Sequence, residues 1–170
     1  MSEKLSIDSL RNAILKTDAA DTSADDERFR KMAKRYEVAV QHLITQVQRI
    51  VDQIPELATT LEDEAETFTA PGFPDRSIDI ASQRIRISHR QDSLLFDPTA
   101  KALLSALGQI EIEASRPIPF MVEKVLYLVP DQSGESARWG YRSVENLGGP
   151  LTPFTSQDLL RLFKAVFAGG

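Results

Sequence analysis

Apolar or small residues recur at Phe29, Ala33, Tyr36, Val40, Leu43, Val47, Ile50 and Ile54, in alternating steps of four and three. That spacing is one face of a helix, and it predicts a long amphipathic helix over Ser23–Ile54. With Phe29, Tyr36, Leu43 and Ile50 taken as heptad position d, the flanks carry Met32, Ala39, Ile44 and Val51 as well as Arg30, Glu37, Gln46 and Gln53. This stripe is wider than the narrow seam of a two-stranded coiled coil, so the helix packs on a sheet, in a bundle, or against a second copy. Phe29, Tyr36, Val40, Leu43, Val47 and Ile50 are the candidate self-association residues.

Ser23 followed by Asp26 resembles a capping box, with Asp25, Asp26 and Glu27 at the positive end of the helix dipole. Pro55 ends or kinks the helix. Beyond it Leu57, Leu61, Ala65 and Phe68 keep a helical spacing, which predicts a second, acidic helix over Glu56–Glu66. Upstream, Ile7, Leu10, Ile14 and Leu15 predict a short separate helix over Leu5–Lys16, joined through a polar connection at Asp18–Ser23. It either folds back on the domain or forms an arm that docks on a partner or a second copy.

Pro71, Gly72 and Pro74 break the pattern at Thr69–Arg76 and divide the chain into a helical region, 1–68, and an α+β domain, 69–170, packed on it or tethered to it. Ile78 and Ile80 alternate with polar residues, as do Ile85 and Ile87, but the parity shifts between the pairs, predicting a turn or bulge at Ala81–Gln83. A hairpin follows, with strands Arg84–His89 and Ser93–Phe96. Asp97-Pro98 reads as a cap and first position of a helix Pro98–Leu107 stopped by Gly108.

The segment Gln109–Ser115 alternates, with Ile110 and Ile112 on one face and Glu111 and Glu113 on the other. Arg116–Phe120 is a loop, Val122–Val129 a buried strand, Asp131–Glu135 a turn and Ala137–Val144 another strand. The loop Gly148–Thr155 leads to a last helix capped by Thr155 or Ser156, packing Leu159, Leu160, Phe163, Val166 and Phe167. The expected architecture is α+β: a long N-terminal amphipathic helix and an antiparallel sheet of about five or six strands, with a short middle helix and a C-terminal helix.

At 170 residues with 42% hydrophobic and 26% charged residues, the composition is that of a globular protein. No apolar run reaches transmembrane length and Met1–Asn12 lacks the pattern of a secretory signal, so a cytoplasmic location and no membrane partner are expected. The absence of cysteine removes disulfides, thiolate metal sites and thiol nucleophiles. Two histidines, His42 and His89, leave little for a metal site, and no cofactor or metal is expected. The net charge of −5 weighs against a dedicated nucleic-acid binder without forbidding a local basic patch.

Such a patch is the stripe Arg84, Arg86, Ser88 and Arg90 on one strand. With Arg138, Trp139, Tyr141 and Arg142 it could grip a phosphate backbone and stack bases, or receive an acidic protein segment. Otherwise it is an ordinary solvated face, or its arginines pair across strands with Glu111 and Glu113. Arg28, Arg30, Lys31, Lys34 and Arg35 form a second basic cluster, with intrahelical pairing as the simpler explanation. Asp92, Asp97, Glu111 and Glu113 fit a metal-dependent nuclease poorly, and Asp97 is better explained as a cap. No nucleophile elbow, phosphate loop or dinucleotide turn is present, and Gly148-Gly149-Pro150 lacks the setting of a phosphate cradle. The expected function is a non-enzymatic protein–protein interaction module: an adaptor, chaperone-like factor or complex subunit that forms a homo-oligomer. An accessory nucleic-acid binder is the alternative, and a metal-dependent nuclease or hydrolase the third.

Overall fold

A computed structural model describes residues 6–100, 102, 106–131 and 136–169. One helix, α1, runs unbroken over Ile7–Asp52. The separate first helix, the polar connection and the cap at Ser23 are therefore corrected. The N-cap is Ser6, whose side chain accepts from the Ser9 amide while the Ser9 hydroxyl accepts from the Ser6 amide. Residues 17–23 are polar but contain neither Gly nor Pro, so nothing in them breaks the helix. Leu5 lies outside the described residues.

The acidic stretch after Pro55 is a strand. β1 (Ala58–Phe68), β2 (Ile78–His89), β3 (Asp92–Thr99), β4 (Gly108–Ala114), β5 (Val125–Pro130), β6 (Ala137–Tyr141) and β7 (Thr152–Pro153) form one antiparallel sheet in chain order. A closing helix, α2, covers Ser156–Phe167. The helical spacing of Leu57, Leu61, Ala65 and Phe68 is overridden by pairing along all of β1, which sets Glu62 opposite Arg84. The strands number seven, and the middle helix is not formed where it was expected to start. Asp97 and Pro98 belong to β3 and pair with Glu111 and Ile110. Pairing with β2 ends at Phe96, so Pro98 lies where β3 has a neighbour on one side only, a setting that tolerates proline. Residues 101 and 103–105 of that expected helix, and 132–135 of the expected turn, lie outside the described residues.

Register defines the two faces. Ile85, Ile87, Leu94, Phe96, Ile110, Ile112, Leu126, Leu128, Trp139 and Tyr141 share one face and are buried. Both helices pack there. Trp139 Nε1–H donates to the Ala39 carbonyl at 3.3 Å, and the Tyr141 hydroxyl donates to Asp158 Oδ1 at 3.3 Å. Asp158 also closes a capping box with Thr155, so one carboxylate starts α2 and ties it to β6. Leu159, Phe163 and Val166 are buried as expected, whereas Leu160 is exposed.

The parity shift in β2 is real, but its cause is not a turn. Pairing with β1 runs unbroken through Ala81–Gln83. The far end of this two-stranded ribbon turns its opposite face to α1: Phe68, the partner of Ile78, packs on Phe29 and Tyr36. Two-stranded ribbons twist strongly enough to present opposite faces to one helix. The β2–β3 turn is two residues, Arg90 and Gln91, and Arg90 takes φ 54°, a left-handed conformation that a side chain disfavours by about 1–2 kcal/mol.

Gly108 lies beneath the Tyr36 ring, where an added Cβ would fall inside the ring's van der Waals radius. Gly108→Ala is expected to lower stability by about 1–3 kcal/mol through overpacking, read as a fall in the denaturation midpoint. Arg90→Gly is expected to raise that midpoint, by about 1 kcal/mol of stability, because glycine adopts the turn without strain.

Candidate functional site

The core accounts for most of the predicted self-association seam. Phe29, Tyr36, Val40, Leu43 and Val47 are buried against the chain's own sheet. Ile50 is half-buried and reaches a groove of about 390 Å³ with Ile54, Leu57, His89, Leu160 and Phe167. In it His89 donates through Nδ1 to the Glu56 carbonyl at 2.9 Å.

The seam stops at Phe29, which packs on Phe68 and Phe73, with the guanidinium groups of Arg28 and Arg76 over the Phe73 ring. Arg76 also holds Asp26 at 2.6 Å. Before this collar every residue from Ser6 to Ala24 is exposed, a length of about 28 Å. Ile7 is 87% exposed, and Leu10, Ile14 and Leu15 are each more than half exposed. At 100° per residue Ile7, Leu10 and Ile14 fall within an arc of about 60°, turned about 90° from the core seam. They therefore form a separate apolar stripe, which at heptad spacing is followed by Thr17, Asp21 and Ala24, with Ala20 beside them.

The basic strand face separates into unlike parts. Arg84 is taken up by Glu62 at 2.5 Å and Glu64 at 3.3 Å on the neighbouring strand, and these partners raise its pKa further above the ordinary value. Arg86 and Arg138 are exposed on the open face of the sheet, but β2 and β6 stand four strands apart, about 19 Å. Arg90 sits in the turn, and Arg142 pairs with Glu123 at 3.7 Å. Trp139 and Tyr141 lie on the opposite, helix-covered face, so they do not join the arginines. Strict alternation along β6 already requires this, since Arg138 and Trp139 are adjacent. Glu111 and Glu113 are exposed on the open face opposite Asp97 and Leu95, not paired with the arginines.

On α1 the basic cluster is largely paired within the helix: Arg28 with Asp25 at 3.5 Å, Lys31 with Glu27 at 3.2 Å and Lys34 with Glu37 at 2.8 Å. Lys31, Lys34, Arg35 and His42 border an open cleft of about 550 Å³ beside Ala137. Asp97 and Glu111 are cross-strand neighbours, whereas Asp92 pairs bidentately with Arg116 at 2.9 Å, which holds its carboxyl below the usual range. Among the described residues no three His, Asp or Glu side chains converge to hold a metal ion.

Sequence reasoning missed one partly buried polar pair. The Tyr36 hydroxyl donates to Glu66 Oε2 at 3.3 Å, and the Ala100 amide donates to Glu66 Oε1 at 3.0 Å. Burial pushes both the Glu66 carboxyl and the Tyr36 hydroxyl above their ordinary values. The pair links α1, β1 and the end of β3, so it reads as a structural clasp. Compared with protein-family models, curated proteins and solved structures, the chain matches none.

Because the folded Glu66 carboxyl titrates above its unfolded value, the folded state binds the proton more tightly. Its contribution is fully present below the unfolded value and is lost as pH rises through the folded one. Glu66→Gln is expected to flatten that decline in a pH series of denaturation midpoints.

Proposed function

We propose that the protein is a non-enzymatic protein–protein interaction module, an adaptor or subunit of a larger assembly, whose docking element is the exposed arm of α1 from Ser6 to Ala24. The observation that carries this is an aliphatic stripe on a helix whose first tertiary hydrogen bond among the described residues comes only at Thr22, where Arg76 donates to the backbone carbonyl at 3.5 Å. Helical stability in proteins comes mainly from packing an apolar face, and this stripe has none within the described chain to pack on. The fitting occupant is therefore another amphipathic helix, laid along Ile7, Leu10 and Ile14.

Body and arm differ in what they leave unsatisfied. In the body, the apolar face of the sheet is covered and half of the described arginines have carboxylate partners. In the arm, aliphatic side chains stand in water. The buried aromatic pair and the engaged Arg84 weigh against a nucleic-acid platform.

Ile14→Glu is expected to leave the denaturation midpoint within about 0.5 kcal/mol of wild type, since Ile14 is an exposed surface position. Leu43→Glu, by contrast, buries a charge in the core and should unfold the chain. A photoreactive side chain at Ala13 should form a discrete protein adduct in cells, and Ile14→Glu should abolish it. Adducts arising instead from position Arg86, with none from Ala13, would place the docking surface on the sheet and overturn the assignment.

A further inference from the structure

We infer that the helix received by this arm is the same arm of a second copy, paired antiparallel. This rests on the arm being the docking element, and it follows from how size and charge are graded along it. Large aliphatic residues stand at the start of the stripe, Ile7, Leu10 and Ile14; smaller or polar ones follow at the same spacing, Thr17, Asp21 and Ala24, with Ala20 beside them. After Asp8, which lies on the far side of the helix from the stripe, basic charge comes first, with Arg11 and Lys16, and acidic charge second, with Asp18 and Asp21. Among the described residues none of these four makes an ion pair, whereas the next carboxylates, Asp25, Asp26 and Glu27, are engaged by Arg28, Arg76 and Lys31.

A parallel pair would set large on large and small on small, and would align Asp18 and Asp21 with their own copies. An antiparallel pair resolves both conflicts. With its midpoint between Leu15 and Lys16, Ile7 of one copy faces Ala24 of the other and Ile14 faces Thr17. Leu10 enters the hole formed by Thr17, Ala20, Asp21 and Ala24, as a knob does in a coiled coil. Arg11 then lies between Asp18 and Asp21 of the opposite helix. The stripe points away from the side where Arg76 holds Asp26, so the two bodies stand clear at opposite ends of the overlap.

The absence of cysteine makes the test direct, because single spin labels can be placed by Ser9→Cys, Lys16→Cys and Ser23→Cys. The 18.9 kDa chain is expected to double its mass in light scattering as its concentration rises. Pulsed EPR should find the label at Lys16 nearest its copy. The labels at Ser9 and Ser23 should each lie about 20 Å from their copies along the axis, since antiparallel separation grows by about 3 Å per residue from the midpoint. Arg11→Asp should return the protein to monomer, and Arg11→Asp combined with Asp18→Arg and Asp21→Arg should restore the dimer. Equal label distances at all three positions would show a parallel pair and overturn the inference. A monomer at every concentration also overturns it; if Ala13 still forms an adduct to a different protein, arm docking survives, and if Ala13 forms none, both fall.

Discussion

The packing of α1 across the sheet is the contact on which the remaining structure depends. Seven strands joined in chain order produce a sheet by local hairpins, but local pairing cannot cover the apolar face those strands create. One helix covers most of it. Tyr36 stands at the centre, with its ring over Gly108 and tilted against Phe68, and its hydroxyl on Glu66. The contact works only because β4 begins with a residue lacking a side chain at that point. Near the other end of the core, Trp139 reaches α1 through the Ala39 carbonyl and Tyr141 reaches α2 through Asp158. The same residues thus fill the core and satisfy the polar groups that burial would otherwise strand.

Legibility in the sequence followed the range of the interactions involved. The seam from Phe29 to Val47, the alternation of Ile110 and Ile112 with Glu111 and Glu113, and the cap at Thr155 are local patterns, and each appears in the structure where the residues place it. β1 is the opposite case. Its residues carry a helical spacing and four carboxylates, and only pairing with β2, where Arg84 takes Glu62 and Glu64, makes it a strand. Asp97-Pro98 has the local form of a helix start, yet β4 supplies a partner that local chemistry does not reveal. The parity change in β2 was visible, but its meaning depended on the helix around which the ribbon turns. For the surfaces, alternation along β6 was enough to separate Arg138 from Trp139. Which part of α1 is covered was not legible, because that depends on where the sheet ends.

That end is set by the aromatic collar of Phe29, Phe68 and Phe73, closed by Arg28 and Arg76. On its body side, each turn of α1 has sheet residues to meet. On its other side the helix continues with no sheet beneath it; Leu15 stays on the seam's face, but Ile7, Leu10 and Ile14 move to a different one. A frayed extension of the core seam would have kept the same face. The change of about 90° is what separates a second surface from an unfinished first one.

On that second surface, aliphatic contacts and charges have different work. The charges lie in water, where attraction is screened over about 8–10 Å, so each matched pair adds little to affinity, whereas like charges set face to face oppose pairing. Their arrangement nevertheless distinguishes the two orientations of a paired helix: parallel alignment opposes aspartates to aspartates, and antiparallel alignment brings Arg11 to them. Ile7, Leu10 and Ile14 supply the attraction, and they supply it to any apolar helix. Orientation and choice of partner therefore rest on Arg11, Asp18 and Asp21, which make no ion pair among the described residues.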